Sequence, residues 1–168
     1  MGSEMCIRDR LKKAYAELEN MVIYDQLTGV YSMYSFMEHC KQYDEYNGSV
    51  AVVVCDINHL SDINIQYGQK AGNQALINVA GVLKKILMDR AYIARINEGN
   101  FVAVMKNVTD AEAGKTFEQI KRTVEKECNN GKFGVTIEYG IAMRKASNRW
   151  IMDIVHEAVN DMRDRKGR

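Results

Sequence analysis

Two short stretches of the chain carry the side chains best suited to chemistry on a phosphate or a metal ion. The first runs from Asp56 to Asn73 and the second from Arg95 to Phe101. Magnesium prefers hard oxygen ligands, chiefly carboxylates, and an asparagine amide offers only one neutral acceptor in place of an ionised carboxylate. Asparagine fills several positions in both stretches, where acids are few. The pattern therefore indicates a site from which much of the negative charge has been removed.

Three predicted elements position these two stretches. The apolar, β-branched run 50–57 is typical of a strand buried on both faces, and it places Asp56 at the edge of the sheet. Over 73–88, apolar residues recur at helical spacing and predict a helix with one buried stripe. Segments 91–96 and 101–105 flank a short polar turn, which predicts a β-hairpin.

The remaining segments complete the predicted fold. We expect a strand at 135–142 and further helices at 32–43, 111–128 and 150–165. The side chain of Ser32 or of Ser35 can cap the first of these helices. The order predicts an α+β fold of the α/β-sandwich type, a ferredoxin-like βααββαβ domain with helices covering a central, mostly antiparallel sheet. Nucleotide cyclases and polymerase palms share this topology with many non-enzymes, so the fold alone does not decide activity.

Size, charge and cysteine spacing narrow the class of protein. A chain of 168 residues with 46% hydrophobic composition is long enough for one buried core and short for two. Its 23 basic side chains nearly balance 22 acidic ones, so we expect no nucleic-acid partner. The 4 cysteines show no metal-ligand or disulfide spacing, and no apolar run is long enough to span a bilayer. We expect a cytoplasmic domain without direct membrane contact.

The beginning of the chain contains two segments outside the predicted core. Residues 5–10 resemble the translation of a sequencing-adapter read, so we expect residues 1–10 to be a gene-model artefact. Residues 11–22 are expected to form a leader helix. Its apolar residues alternate at spacings of three and four over barely two heptads, at Leu11, Ala14, Leu18 and Met21. A coiled-coil linker and an ordinary docking helix are equally good interpretations.

The motifs in the two polar stretches resemble those of the GGDEF domain, the diguanylate cyclase family. The family text is D-x-D-x-F-K-x-x-N-D-x-x-G-H-x-x-G-D followed by R-x-G-G-D/E-E-F, and a preceding D-x-L-T-G motif matches residues 25–29. The chain matches at Asp56, Asn64, Tyr67, Gly68, Gly72, Arg95 and Phe101. It departs at Asn58, Ser61, Ile65, Gln69, Asn73, Asn97, Glu98, Gly99 and Asn100. The resemblance implies one domain over 23–168 that is degenerate in its signature.

The resemblance also implies a two-metal site for condensing two GTP molecules. The family ligands are the first Asp of D-x-D, an adjacent backbone carbonyl and the acidic third residue of the hairpin signature. The corresponding positions are Asp56, the carbonyl of Ile57, and Gly99, which has no side chain to donate. Two further acidic positions of the family are Asn58 and Asn100, so three of the four are neutral. Asp56 and Asn100 are thus expected to be vestiges of catalytic residues.

Glu98 is a carboxylate next to the missing ligand, at a position where the family has glycine. It is a third vestigial candidate, because it could act with Asp56 as a displaced ligand for Mg²⁺ or Mn²⁺. Neighbouring hairpin side chains point in different directions, however, so moving an acid by one position is not a conservative transfer. Without a metal, Glu98 would repel a triphosphate. We therefore expect no cofactor, and we keep the metal ion as part of an alternative.

The resemblance further implies a weakened purine-nucleotide site. The family binds guanine at the positions of Asn64 and Asn73, and the second of these is normally a carboxylate that accepts from both guanine N1–H and N2–H. Ser61 replaces the usual phosphate-directed lysine. Arg163, near the end of the chain, could still contact a phosphate, but a solvated helix-end charge is the more ordinary role.

The neutralised signature predicts a catalytically inactive GGDEF-like domain that serves as a regulatory or dimerisation module in bacterial cyclic di-GMP signalling. The expected partners are a second copy or the sensor and effector domains of a larger parent, together with GTP or another purine nucleotide if the site around Asn64 still binds one. The alternative is an active diguanylate cyclase that condenses two GTP to cyclic di-GMP with Glu98 as a displaced metal ligand. A scaffold without any ligand is a third hypothesis.

Overall fold

The computed structural model describes the backbone of residues 2–145 and 148–168 and the side chains of residues 6–145 and 148–168. Met1, part of the segment expected to be an artefact, lies outside the described residues. The helices are α1 (Gly2–Ile23), α2 (Met33–Asp44), α3 (Leu60–Tyr67), α4 (Gln69–Leu87), α5 (Asp110–Glu127) and α6 (Ile151–Lys166), with a 3₁₀ turn at Met88–Arg90. The strands are β1 (Val50–Ile57), β2 (Tyr92–Arg95), β3 (Asn100–Lys106) and β4 (Ile137–Arg144).

The four strands form one sheet in the order β2-β3-β1-β4, and each neighbouring pair is antiparallel. Strand β1 is central, with Asp56 opposite Asn100 on one side and Glu138 on the other. This arrangement confirms the predicted α+β fold with an antiparallel sheet between helices. The predicted strand 50–57 is observed with the same bounds.

Helices cover both faces of the sheet because β1 is apolar on both sides. Val50, Val52 and Val54 pack in one cluster with residues of α2 and α6, whereas Ala51 and Val53 belong to a second cluster with residues of α4 and α5. All five side chains are fully buried. Because side chains alternate along a strand, Asp56 lies on the same face as Val54, the face covered by α6.

The boundaries of several elements differ from the predicted ones. The helix expected at 73–88 begins at Gln69, and a separate helix α3 holds much of the first polar stretch. Helix α2 begins at Met33 after Ser32, whose side chain accepts a hydrogen bond from the amide of Ser35. Helix α1 runs through both the expected leader segment and the residues before it. None of the helices in the described part of the chain has the length and apolarity that a bilayer crossing requires.

Candidate functional site

The candidate site is centred on Asp56, near the end of the central strand. Its carboxylate is 24% exposed, and Oδ2 accepts a hydrogen bond from the ammonium group of Lys166, the last residue of α6. The preceding thiol of Cys55 points to the opposite face, where burial raises its pKa to about 12. Because a thiolate is the reactive form of cysteine, Cys55 does not contribute to ligand chemistry at this strand end.

The position of α6 on the sheet explains why Lys166 reaches Asp56. A Cβ atom on Gly140 of β4 would lie within 2.8 Å of backbone atoms of Ala158 and Met162, so helix and strand are in direct backbone contact. Met162 is buried against the sheet, and Lys166 follows it by four residues on the same helical face. The helix runs back along β4 toward the residues that pair with Asp56.

The hairpin turn before β3 lies beside Asp56. The side-chain oxygen of Asn97 accepts hydrogen bonds from the amides of Gly99 and Asn100 at 3.2 and 2.9 Å, which closes the turn. The amide of Ile57 donates to the carbonyl of Gly99 at 3.3 Å. A Cβ atom on Gly99 would lie 3.2 Å from Asp56 Oδ1. A side chain at position 99 would therefore reach the Asp56 carboxylate, and glycine provides none.

Glu98 and Asn58 flank the strand end and make contacts of other kinds. Glu98 is exposed in the turn, and its backbone carbonyl accepts a hydrogen bond from Arg95 at 2.7 Å. The Asn58 side chain donates to the hydroxyl of Thr136 at 3.0 Å, and its backbone amide donates to the carbonyl of the same threonine. Asn58 thus ties the end of β1 to the segment before β4.

The donor set does not fit a pair of divalent cations. Within the described residues, no three His, Cys, Asp or Glu side chains form a group that could hold a metal ion. The carboxylate of Asp56 and the carbonyl of Ile57 are the predicted ligands that the strand end retains, and the carboxylate is already ion-paired. Two-metal chemistry needs ligands that bridge and neutralise both ions. No reaction step is therefore assigned to a metal at this site.

A partly buried ion pair connects the turn to the loop that follows α1. Arg95 donates from Nη1 to both carboxylate oxygens of Asp25 at 3.3 Å, and the two side chains are 16% and 22% exposed. Asp25 Oδ2 also accepts from the amide of Thr28 at 3.0 Å. The same guanidinium donates to the carbonyls of Asn97 and Glu98. The end of the leader helix and the signature turn are therefore held together by one arginine.

Two of the predicted nucleotide-binding residues, Asn64 and Asn73, lie at the junction of α3 and α4. Asn64 of α3 packs against Gly72 of α4, where an added Cβ atom would lie within 2.7 Å of the Asn64 side-chain carbon Cγ. The Asn64 Oδ1 atom is buried without a hydrogen-bond partner. Asn73, next to this contact, accepts from Gln69 through Oδ1 at 3.1 Å. The α3–α4 junction therefore keeps one buried acceptor without a hydrogen-bond partner, packed against Gly72.

Ser61 and Arg163 are both exposed. Both Arg163 and Lys166 of α6 are exposed, and Lys166 is the one of the two that contacts Asp56. Lys166 was not among the residues predicted from the sequence, because the family motif pointed to Arg163 on the same helix. The four-residue spacing from buried Met162 was the signal that could have identified it.

A family model and several curated proteins match the sequence of this chain. The family model described as "Diguanylate cyclase, GGDEF domain" matches residues 22–168. YhcK of Bacillus subtilis, an uncharacterised protein, is 31% identical over 128 residues, which cover 71% of this chain and 36% of the relative. The diguanylate cyclase DgcS of Shewanella oneidensis is 24% identical over 132 residues, covering 76% and 44%. The chain spans less than half the length of both relatives.

Two solved structures have the same fold at low sequence identity. The coiled coil and GGDEF domain of DgcB from Caulobacter crescentus, in complex with c-di-GMP, superposes with a TM-score of 0.85 at 20% identity and covers 98% of this chain and 92% of that one. The FimX GGDEF domain from Pseudomonas aeruginosa has a TM-score of 0.75 at 20% identity, with coverage of 84% and 92%.

Proposed function

Because this chain belongs to the GGDEF domain family, we propose that it is a catalytically inactive member that regulates cyclic di-GMP signalling. The observation that carries the proposal is the environment of the Asp56 carboxylate. Asp56 is the family acid retained at the strand end, it is ion-paired to Lys166, and the neighbouring ligand position is Gly99. A site of this composition has too little negative charge to hold two divalent cations and a triphosphate in reactive geometry.

The size of the electrostatic loss supports an inactive site. Two unit charges 4 Å apart interact by about 4 kcal/mol at an effective dielectric constant of about 20, so one missing carboxylate costs a divalent cation roughly twice that. A difference of about 1.4 kcal/mol changes an equilibrium tenfold. Even after generous allowance for solvent and relaxation, the loss at position 99 lowers metal affinity by orders of magnitude.

We further propose that α1 makes the domain a dimerisation module. Its apolar side chains remain more than half exposed at Leu11, Leu18 and Met21. With Ala14 they follow the alternating spacing of three and four that is typical of a coiled-coil seam. A second copy of the same helix is the partner that would cover this stripe symmetrically. A solved neighbour with a coiled coil and a GGDEF domain supports this arrangement.

The regulatory role is proposed for a larger parent protein in the cytoplasm. The chain spans 14% of the cyclic di-GMP phosphodiesterase NbdA of Pseudomonas aeruginosa, with 30% identity over 109 residues. A domain of this family can thus accompany an activity other than synthesis. Each of the four cysteines is a free thiol, which is in keeping with a reducing compartment.

Incubation with GTP tests the absence of activity. The purified chain is mixed with GTP and either Mg²⁺ or Mn²⁺, and cyclic di-GMP is measured by chromatography. We expect no product above that of an Asp56→Ala variant. Sustained turnover that Asp56→Ala abolishes would overturn the proposal. If Glu98→Gln abolished it as well while leaving the fold intact, the displaced-ligand alternative would replace it.

A thermal-shift titration with GTP, GDP and ATP separates a nucleotide-binding regulator from a scaffold without a ligand. A ligand that binds the native state raises the melting temperature. If the α3–α4 junction binds the base, the Gly72→Ala variant should lose the shift, because its methyl group displaces the side chain of Asn64. No shift with any nucleotide would favour the scaffold.

Dimerisation is tested by light scattering after size-exclusion chromatography. We expect Leu18→Glu to convert a dimer into a monomer. Asn20→Glu is the matched control, because it adds the same charge to the same helix off the apolar stripe. A wild-type monomer at concentrations of about 100 μM would contradict the proposed dimer, since a coiled coil with useful affinity (~8 kcal/mol, a Kd of about 1 μM) would be saturated there.

A further inference from the structure

We propose that Lys166 takes the place of a divalent cation beside Asp56, so that the last turn of α6 keeps the vestigial metal position closed. This inference rests on the proposed function, since it explains how an inactive site stays free of metal. The direct observation is the ion pair between the Lys166 ammonium and Asp56 Oδ2, with side-chain exposures of 36% and 24%. The other carboxylate oxygen faces Gly99.

The fold holds Lys166 in this place through contacts that do not involve Asp56. Helix α6 begins at Ile151, whose amide donates to the Asp44 carboxylate at 2.7 Å. Midway, the backbone of α6 lies directly against Gly140. Near the end of the helix, Asp161 accepts a hydrogen bond from the amide of Ile141 at 2.8 Å, and the Arg165 guanidinium lies 4.9 Å from the centre of the Tyr139 ring. Because the helix is fixed along its length, the ammonium is presented to Asp56 at a high effective concentration.

Lys166 neutralises Asp56, and the two residues opposite Asp56 in the sheet add no unpaired charge. The Asp56 carboxylate and the Lys166 ammonium cancel. Glu138, opposite Asp56 on β4, is ion-paired with Lys121 at 3.0 Å. Asn100, opposite Asp56 on β3, is neutral. A divalent cation would therefore have to displace a tethered cation to reach the Asp56 carboxylate.

Paramagnetic broadening by Mn²⁺ tests this inference in the absence of any nucleotide. Amide signals of the ¹⁵N-labelled chain are followed while MnCl₂ is added, because broadening detects even weak and transient ion binding. We expect the signals of Ile57 and Gly99 in the wild type to broaden no more than those of other exposed loops. In Lys166→Met the same signals should broaden severalfold more at equal Mn²⁺, and in Lys166→Met with Asp56→Asn the effect should disappear.

Two control variants separate the ion pair from general charge effects. Arg163→Met removes the same charge from the exposed side of the same helix and should behave like the wild type. Lys166→Arg keeps the charge and should also behave like the wild type. Selective broadening in the wild type, or equal broadening in Lys166→Met and Arg163→Met, would overturn the inference. The amide spectrum of each variant reports at the same time whether it has folded.

The outcome is distinguishable from that of the GTP assay. A wild type that excludes Mn²⁺ from Asp56 but forms cyclic di-GMP would overturn the proposed function while leaving the ion pair intact. A wild type that binds Mn²⁺ at Asp56 without turnover would overturn the inference alone.

Discussion

Replacing Gly140 by alanine is expected to destabilise the domain, because a methyl group has no room between β4 and α6. The added carbon would lie within 2.8 Å of three atoms, the carbonyl oxygen of Ala158 and the amide nitrogen and Cα of Met162. All three are backbone atoms, so no flexible side chain can move aside. The helix must retreat from the sheet, which loosens its buried residues and shifts Lys166 away from Asp56.

The magnitude follows from two opposing effects. Overpacking a well-packed core costs about 1–3 kcal/mol, and the upper end applies here because the obstructing atoms are backbone. Replacing glycine in a strand interior returns roughly 0.5–1 kcal/mol of conformational entropy. The net loss is therefore about 2 kcal/mol, a substantial part of the roughly 5–15 kcal/mol by which domains are usually stable.

Urea denaturation of wild type, Gly140→Ala and Gly81→Ala measures this effect against a control. Gly81 lies in the exposed interior of α4, where an added Cβ atom meets nothing within 4 Å. Alanine there should stabilise the domain by up to about 1 kcal/mol through helix propensity. With m-values of about 1–3 kcal/mol/M, the two variants should shift the midpoint in opposite directions. Equal midpoints for Gly140→Ala and the wild type would refute the close contact between α6 and β4.

Two other regions give further expectations. Asp25→Ala should lower the free energy of unfolding by about 2 kcal/mol, because the part-buried Arg95 guanidinium and the Thr28 amide both lose a charged acceptor; a double-mutant cycle with Arg95→Met that showed no coupling would contradict this. Burial, with a smaller contribution from Lys106, lowers the pKa of His39 below its ordinary value of 6.5. The unfolded chain therefore binds more protons in acid, so the stability due to neutral His39 is present above pH about 6.5 and is lost as the pH falls through the native pKa. Between pH 7.5 and 5.5 the melting temperature should accordingly fall less for His39→Gln than for the wild type. Equal falls in melting temperature would contradict the lowered pKa of His39.

The sequence alone was enough to predict which side-chain ligands the site lacks. Glycine at position 99 cannot provide a side-chain ligand in any fold, and amides at 58 and 100 cannot carry a carboxylate charge. The central strand 50–57 was predicted with its observed bounds because an apolar run rich in β-branched residues is typical of a strand buried on both faces. Element boundaries with a weaker sequence signal depend on packing. Helix α4, for example, begins at Gln69, whereas the sequence predicted a beginning at residue 73.

The tertiary structure alone decided which groups meet at Asp56. Lys166 lies 110 residues along the chain from its partner, and only the close packing of α6 on Gly140 brings the two together. Arg163, the residue favoured by the motif, is turned to solvent on the same helix. The chemistry of a side chain is set by its residue type. A contact between two distant residues depends instead on how all the elements between them pack. For that reason the sequence determines what the site lacks, and the fold determines what fills it.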